Sequence, residues 1–198
     1  STAAEVGHKA IVRNFADIEA MGARPTAALL AIAAPGDTPV DFVRGIAQGI
    51  AERCAVYNAE LVGGDLTRSD SLVINVTALG SLGGSGAPLT LDGARAGQKL
   101  VAHGKIGYSG AGLALLQRYG RALPPELDEL WPLIDAHCAP TLAPGRGVIA
   151  RATGSTAMTD NSDGLVRDVG HLAERSGVRI DFDRGAIAPD PLVACLLY

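Results

Sequence analysis

"TAALLAIAAP", residues 26–35, is an almost unbroken apolar run that stops at a proline. A stretch of this length, rich in Ala, Leu and Ile and closed by a residue that cannot donate to a ladder, reads as a buried strand. The residues on either side decide what the strand packs against. Upstream, residues 5–22 place Ile11, Phe15 and Ile18 at i, i+4 and i+7, and Gly22 follows as a C-cap, which predicts an amphipathic helix. Downstream, residues 36–58 open with Thr38 as N-cap, Pro39 at the first helical position and Asp41 at the positive helix end. Phe42, Ile46 and Ile50 then form the inward stripe of a second helix. A buried strand between two amphipathic helices is the signature of layered α/β architecture.

Farther along, "ELVGGDLTRSD" (60–70) predicts a short strand running into a Gly-Gly-Asp turn. Residues 71–80 alternate, with Leu72, Ile74 and Val76 on one face and Asn75 and Thr77 on the other. The glycine-rich stretch 81–88 reads as a flexible connector, so the expected division is an N-terminal domain over 1–88 and a C-terminal domain over 89–198. In the second half the patterns predict strands at 99–104, 156–160 and 178–183. Helices are predicted at 109–119 (N-cap Ser109, C-cap Gly120), around 126–137 (interrupted by Pro132), at 145–153 and at 163–176, where Leu165, Val169 and Leu172 point inward before Gly177. The expected fold is α/β, or interleaved α+β, in two domains. The chain enters a helix almost at once and stops in the apolar run "PLVACLLY", so sequence is expected to be missing at both ends.

Composition narrows the function. Net charge is −4 with no basic run, which argues against nucleic acid as the main partner and leaves any anionic ligand dependent on a helix N-terminus or a metal ion. No apolar run is long enough to span a bilayer and no signal-peptide pattern opens the chain, so a cytoplasmic location is expected, with no membrane partner. Cys54, Cys138 and Cys195 are odd in number and widely spaced, and read as reduced thiols. "GKIGYSGAGL" (104–113) is not a P-loop, because Lys105 precedes the glycines instead of closing the loop. His8, His103, His137 and His171 show no zinc spacing, and no Ser/His/Asp arrangement supplies a covalent nucleophile.

The chemistry concentrates in acids beside small residues. In "TDNSDGL" (159–165) a strand ends near Asp160, and Ser162 is placed to cap a helix beginning at Asp163. Backbone N–H groups at the helix start favour an anion, Gly164 lets a ligand approach the backbone, and two carboxylates three positions apart can reach hard cations. The same features also describe an N-cap with acids favoured by the helix dipole. "VGGDLTR" (62–68) repeats the pattern, with Asp65 at a strand tip and Arg68 able to meet a phosphate, although a Gly-Gly-Asp turn is commonly just a turn. Asp17, between Ala16 and Ile18, reads most simply as a solvated helix position.

Taken together, "VGHKAIVRNFADIEAMGARP", "LVGGDLTR", "VTALG", "DGARAGQKL", "GYSGAGLALL" and "AMTDNSDGLVRDVGHLAERSGVRID" resemble the thiamine-monophosphate kinase family of the aminoimidazole ribonucleotide synthetase-like superfamily. The resemblance covers most of residues 6–183 in the family's order. It implies a two-domain α/β homodimer that moves the γ-phosphoryl group of ATP, with Mg²⁺, onto the phosphate of thiamine monophosphate. It further implies that Asp17, Asp65, Asp160 and Asp163 are magnesium ligands and that Gly64, Asp65 and Ser162 contact the nucleotide. Such a transfer needs positioning and charge neutralisation and no covalent catalytic residue. The family's N-terminal G-D-D-A motif with its following histidine, and its later GGED-like segment, are absent. Leu91 stands where an ATP-holding Arg is common, and Asn161 where an apolar residue is usual. The competing readings are another ATP-dependent superfamily member, of the selenophosphate, hydrogenase-maturation or purine-synthesis type, and a non-catalytic dimeric binding module of the same fold.

Overall fold

The computed structural model describes residues 1–84, 86–183, 185, 187 and 190–194. The first 81 residues form a two-layer unit: helices α1 (Ala3–Ala20) and α2 (Val40–Val56) lie on one face of a sheet made by β1 (Arg24–Ala34), β2 (Glu60–Arg68) and β3 (Val73–Ser81). The strand order is β2-β1-β3, with β1 parallel to β2 and antiparallel to β3. The apolar run that predicted a buried strand is thus the central one. Its alternate residues Ala28, Leu30, Ile32 and Ala34 are buried and meet Ile11 and Phe15 of α1 and Ile46, Ile50 and Cys54 of α2. The other face of β1 is half open, because no helix covers it.

Small residues set how closely the two helices approach. A Cβ on Gly7 would lie 2.3 Å from the Ile46 carbonyl oxygen, and one on Gly49 would lie 2.5 Å from that of Ala4. The helices therefore touch backbone to backbone, and the larger side chains farther along fill the space down to the sheet. Phe15 meets the edge of Tyr57 at a ring separation of 5.1 Å. Burial pushes the Tyr57 phenol up to about 12, and its hydroxyl donates to the Leu142 carbonyl at 2.8 Å.

The second half is helical. α3 (Tyr108–Tyr119) packs on α4 (Trp131–Cys138), and Leu115, Leu130, Leu133 and Ile134 form a second apolar cluster. α5 (Arg146–Ala152), α6 (Leu165–Ser176) and a single turn, α7 (Pro191–Ala194), complete the described helices. Pro132 interrupts the predicted 126–137 helix as its chemistry requires. A 3₁₀ segment, Pro125–Leu130, ends there, and the proline sits in the first turn of α4, where its missing N–H is not needed.

Several predicted elements differ. The stretches 99–104, 156–160 and 178–183 are not strands; among the described residues their only bridge is Thr90 with Ala157. Alternation marks an extended segment that expects one covered face, but a strand exists only where a neighbour accepts its N–H and C=O groups. Here Val101 is 83% exposed. The Gly-Gly-Asp of 63–65 is no turn: β2 runs through it to Arg68, and a register irregularity opposite Ala28 and Leu29 absorbs the extra residue Val62. Gly107, not Ser109, caps α3, while the Ser109 hydroxyl meets His137 Nδ1 at 3.1 Å. Pro39 rather than Thr38 is the N-cap of α2. Residues 191–194 of the apolar C-terminal run are helical, and Cys195 with the rest of that run lies outside the described residues. Cys54 and Cys138 are buried free thiols, as expected.

The glycine-rich connector is tethered. The Arg151 guanidinium donates to the carbonyls of Leu82, Gly83 and Gly86. A buried acid makes a second link: Glu19 is 2% exposed and accepts the N–H groups of Gly145 and Gly147 at 2.6 and 2.7 Å.

Gly7→Ala is expected to force the first two helices apart and to destabilise the protein by about 2 kcal/mol. Gly170→Ala, in a helix with nothing within 4 Å of the added Cβ, is expected to stabilise it by about 0.5–1 kcal/mol. Urea unfolding of both variants checks the pair of opposite signs.

Candidate functional site

α1 is held by the sheet and α2 on one side, so a different face is left to carry polar residues. Lys9, Arg13 and Asp17 follow one another at helical-turn spacing along it. With Asn14 they border an open groove of about 460 Å³, whose far wall is Ile74 and Val76 of β3 and to which the other half of the chain contributes Ser162. The two half-buried β3 residues are those the alternation assigned to the inward face.

The groove gathers part of the acidic set. Partial burial first, and then the negative charge of Asp160, hold the Asp17 carboxyl above its ordinary range, and Arg13 draws it part of the way back. Asp17 is exposed, as the solvated helix position predicted, and the charge of residue 160 acts on it as well. A carboxylate lining the groove, with a second acid near enough for its charge to be felt, suits a hard divalent cation, since magnesium takes one or two carboxylates and completes its shell with water and phosphate oxygens.

The other two acids stand elsewhere. Asp65 pairs with Ala31, which pairs in turn with Asn75, so all three share the sheet face turned away from the helices, and all are exposed. Asp163 lies 3.9 Å from Arg167 on the first turn of α6. Among the described residues no three His, Cys, Asp or Glu side chains converge as a ready metal centre. Gly64 has a structural demand of its own, because a Cβ there would sit 2.0 Å from the Leu30 carbonyl oxygen of the neighbouring strand.

The junction before α6 departs from the expected capping. The helix starts at Leu165, two residues later than predicted, and Gly164 is its N-cap with φ +112° and ψ 144°, a region open essentially to glycine alone. Ser162 therefore does not cap the helix and instead faces the groove. The N–H groups of Asp163 and Gly164 are taken by Asp168 Oδ2 at 3.1 and 3.0 Å. Asp168 is 7% exposed and was not singled out by the sequence reading. Its signal was partial: an acid four residues after a glycine, which lies in the first turn, placed to reach back to free amides, only once the helix is known to start at Leu165.

Residues 1–82 match the family model for the AIR synthase related protein, N-terminal domain. The thiamine-monophosphate kinase of Corynebacterium glutamicum is 66% identical over 194 residues, which is 98% of this chain and 58% of that protein. The Mycobacterium tuberculosis kinase of the same name is 42% identical over 96% of this chain and 55% of its own length. A solved structure of AaThiL complexed with AMPPCP and TMP aligns with a TM-score of 0.81 at 35% identity, over 89% of this chain and 55% of that one. The match over residues 1–82 and the structural alignment liken the chain to AIR synthase-related proteins, the superfamily its motifs resemble. Within that superfamily its likeness is to the thiamine-monophosphate kinases, and it spans somewhat more than half the length of the curated relatives it matches.

Two stability effects follow from the site. Asp168→Ala leaves two helix-start amides without an acceptor and is expected to lower stability by about 1–2 kcal/mol in urea unfolding. Asp17 behaves oppositely. A carboxyl whose folded-state pKa lies above its unfolded value binds its proton more tightly when native, so its ionisation works against folding as pH rises through the folded value. Asp17→Asn is therefore expected to raise the melting temperature of chelator-treated protein near neutral pH, by about 1–2 °C. The gain should vanish in acid below the unfolded carboxyl range, which a pH series of thermal melts checks.

Proposed function

We propose that the protein is a thiamine-monophosphate kinase, transferring the γ-phosphoryl group of ATP to the phosphate of thiamine monophosphate to give thiamine diphosphate and ADP. The observation that carries this reading is the groove that brings Asp17 and Ser162 together, with the charge of Asp160 acting on Asp17, in a chain 66% identical to the Corynebacterium kinase. The related AaThiL has been solved with AMPPCP and TMP together, a nucleotide analogue and a phosphorylated acceptor. The extent of the kinase similarity favours this reading over the other superfamily activities and over a non-catalytic module.

Asp17 and Asp160 hold Mg²⁺ in this reading, and Asp65 and Asp163 serve further ions, as the family likeness implies. Bound magnesium supplies neutralisation of the two phosphate groups that must meet. The chain's residues do the rest by placement: Ser162 offers its hydroxyl to a nucleotide oxygen, and Gly64 leaves the backbone of β2 open beside Asp65. Direct transfer between oxygens needs no covalent nucleophile, and none is assigned.

A homodimer completes the reading. The sheet face turned away from the helices exposes Leu29, Val73 and Leu79 at 39%, 51% and 49%, and a second copy of the chain would cover it. Asp65 and Asn75 lie on that face. A cytoplasmic location fits the free thiols; among the described residues no helix is long and apolar enough to cross a membrane.

In an assay of thiamine diphosphate formation by the whole protein, turnover is expected to require Mg²⁺ and thiamine monophosphate. Asp160→Asn and Asp65→Asn are each expected to lower kcat by at least ~10²-fold, the scale of one lost transition-state charge contact. Near-normal turnover of both variants at saturating Mg²⁺ would remove the metal assignment, and faster turnover with a different acceptor would replace the substrate.

A further inference from the structure

The groove along α1 contains two cations, and the fold uses only one of them. Lys9 is committed: its ammonium donates to the His137 carbonyl at 2.7 Å and lies 3.2 Å from His137 Nε2, joining α1 to the end of α4. Burial, more than any neighbour, lowers its pKa. Arg13, one helical turn on, has no carboxylate within ion-pair distance and no side-chain hydrogen bond among the described residues, and it is exposed. It nevertheless borders the groove beside Asn14, Asp17 and Ser162, and its charge reaches the Asp17 carboxylate.

A guanidinium there has a chemical consequence. A turn of helix advances about 5.4 Å, so Arg13 and Asp17 lie side by side along one wall. A phosphate group drawn to a cation at the Asp17–Asp160 end would place its remaining oxygens within reach of a long side chain rooted one turn away. Arginine offers a planar fork of N–H donors matched to two phosphate oxygens, it stays charged at any working pH, and it gives up less hydration than an ammonium when it binds. Among the described residues no acid is paired with it.

We propose that Arg13 is a phosphate-positioning residue, its guanidinium gripping non-transferred oxygens of a substrate phosphate lodged in the α1 groove. This rests on the kinase reading above and adds to it a residue that the acidic motifs do not contain. The phosphate is that of thiamine monophosphate or one of the ATP chain; the shared chemistry is a phosphoryl group with two free oxygens, and kinetics distinguish the sources.

The experiment uses the whole protein with saturating Mg²⁺, varying thiamine monophosphate and ATP in turn for wild type, Arg13→Gln and Arg13→Lys. Arg44→Gln, an exposed arginine on α2 paired only with Asp41 at 3.8 Å, serves as control. Arg13→Gln is expected to raise one of the two KM values about tenfold, the scale of one charge-assisted hydrogen bond, with kcat falling less than KM rises. Arg13→Lys should recover part of the loss, because it restores charge without the fork. The KM that moves identifies the phosphate. Unchanged KM values for both substrates overturn the proposal, as does a lysine variant no better than glutamine or an equal effect of Arg44→Gln. If wild type forms no thiamine diphosphate, the kinase reading fails and this proposal falls with it; active wild type with an indifferent Arg13→Gln sinks the proposal alone.

Discussion

The buried carboxylate of Glu19 decides how the two halves of the chain meet. A carboxyl group at 2% exposure is tolerable only when hydrogen-bonded, and the amides of Gly145 and Gly147 meet that need at the start of α5. A Cβ on Gly147 would lie 1.7 Å from the Glu19 carbonyl oxygen, so the contact leaves no slack. α5 is thereby anchored to the C-terminal end of α1. The chain leaving α5 at Ala152 has only a few residues in which to reach Asp160. Asp17 lies two positions before Glu19 on the same helix, and the charge of Asp160 acts on it. The acidic pair is thus a consequence of a helix-cap contact outside the pair itself.

The remaining links act in the same direction. Arg121 pairs with Glu5 at 2.6 Å near the start of α1, Lys9 meets the end of α4, and Tyr57 reaches Leu142. Each is modest alone, and the exposed Arg121–Glu5 pair is of the kind worth little in isolation. Two of them along α1 and one from the end of α2, they tie the helix layer of the first unit to the second half of the chain. α1 therefore serves as the common wall of the core and the groove: its apolar stripe goes to the sheet, and its polar face lines the groove.

That division leaves Asp17 on the polar face, where the charge of Asp160 acts on it. The glycine-mediated contact with α2 and the Glu19 cap fix the helix that carries it. A site that binds a cation between two acids stores their repulsion in the empty state and releases it on binding. Arg13 moderates it at one end without quenching it, since its charge lies along the groove and outside ion-pair distance.

The sequence by itself determined the first unit almost completely. The apolar 26–35 run, the two helical stripes and the alternation of 71–80 are local patterns, and local periodicity reports which face is covered. It also exposed the acids, because Asp17, Asp65, Asp160 and Asp163 stand beside small residues in recognisable spacing. What it could not decide was pairing and proximity. Segments 99–104, 156–160 and 178–183 alternate as strands do, yet strand formation depends on a neighbour that no local pattern specifies. Ser162 had the chemistry of an N-cap, but a buried acid one turn into the helix, Asp168, took the amides first. Asp17 is exposed as its position predicted, but the charge that perturbs it comes from residue 160, far along the chain. Periodicity is written into adjacent residues, whereas the meeting of distant charges follows from how closely helices pack, and only the tertiary structure settles that.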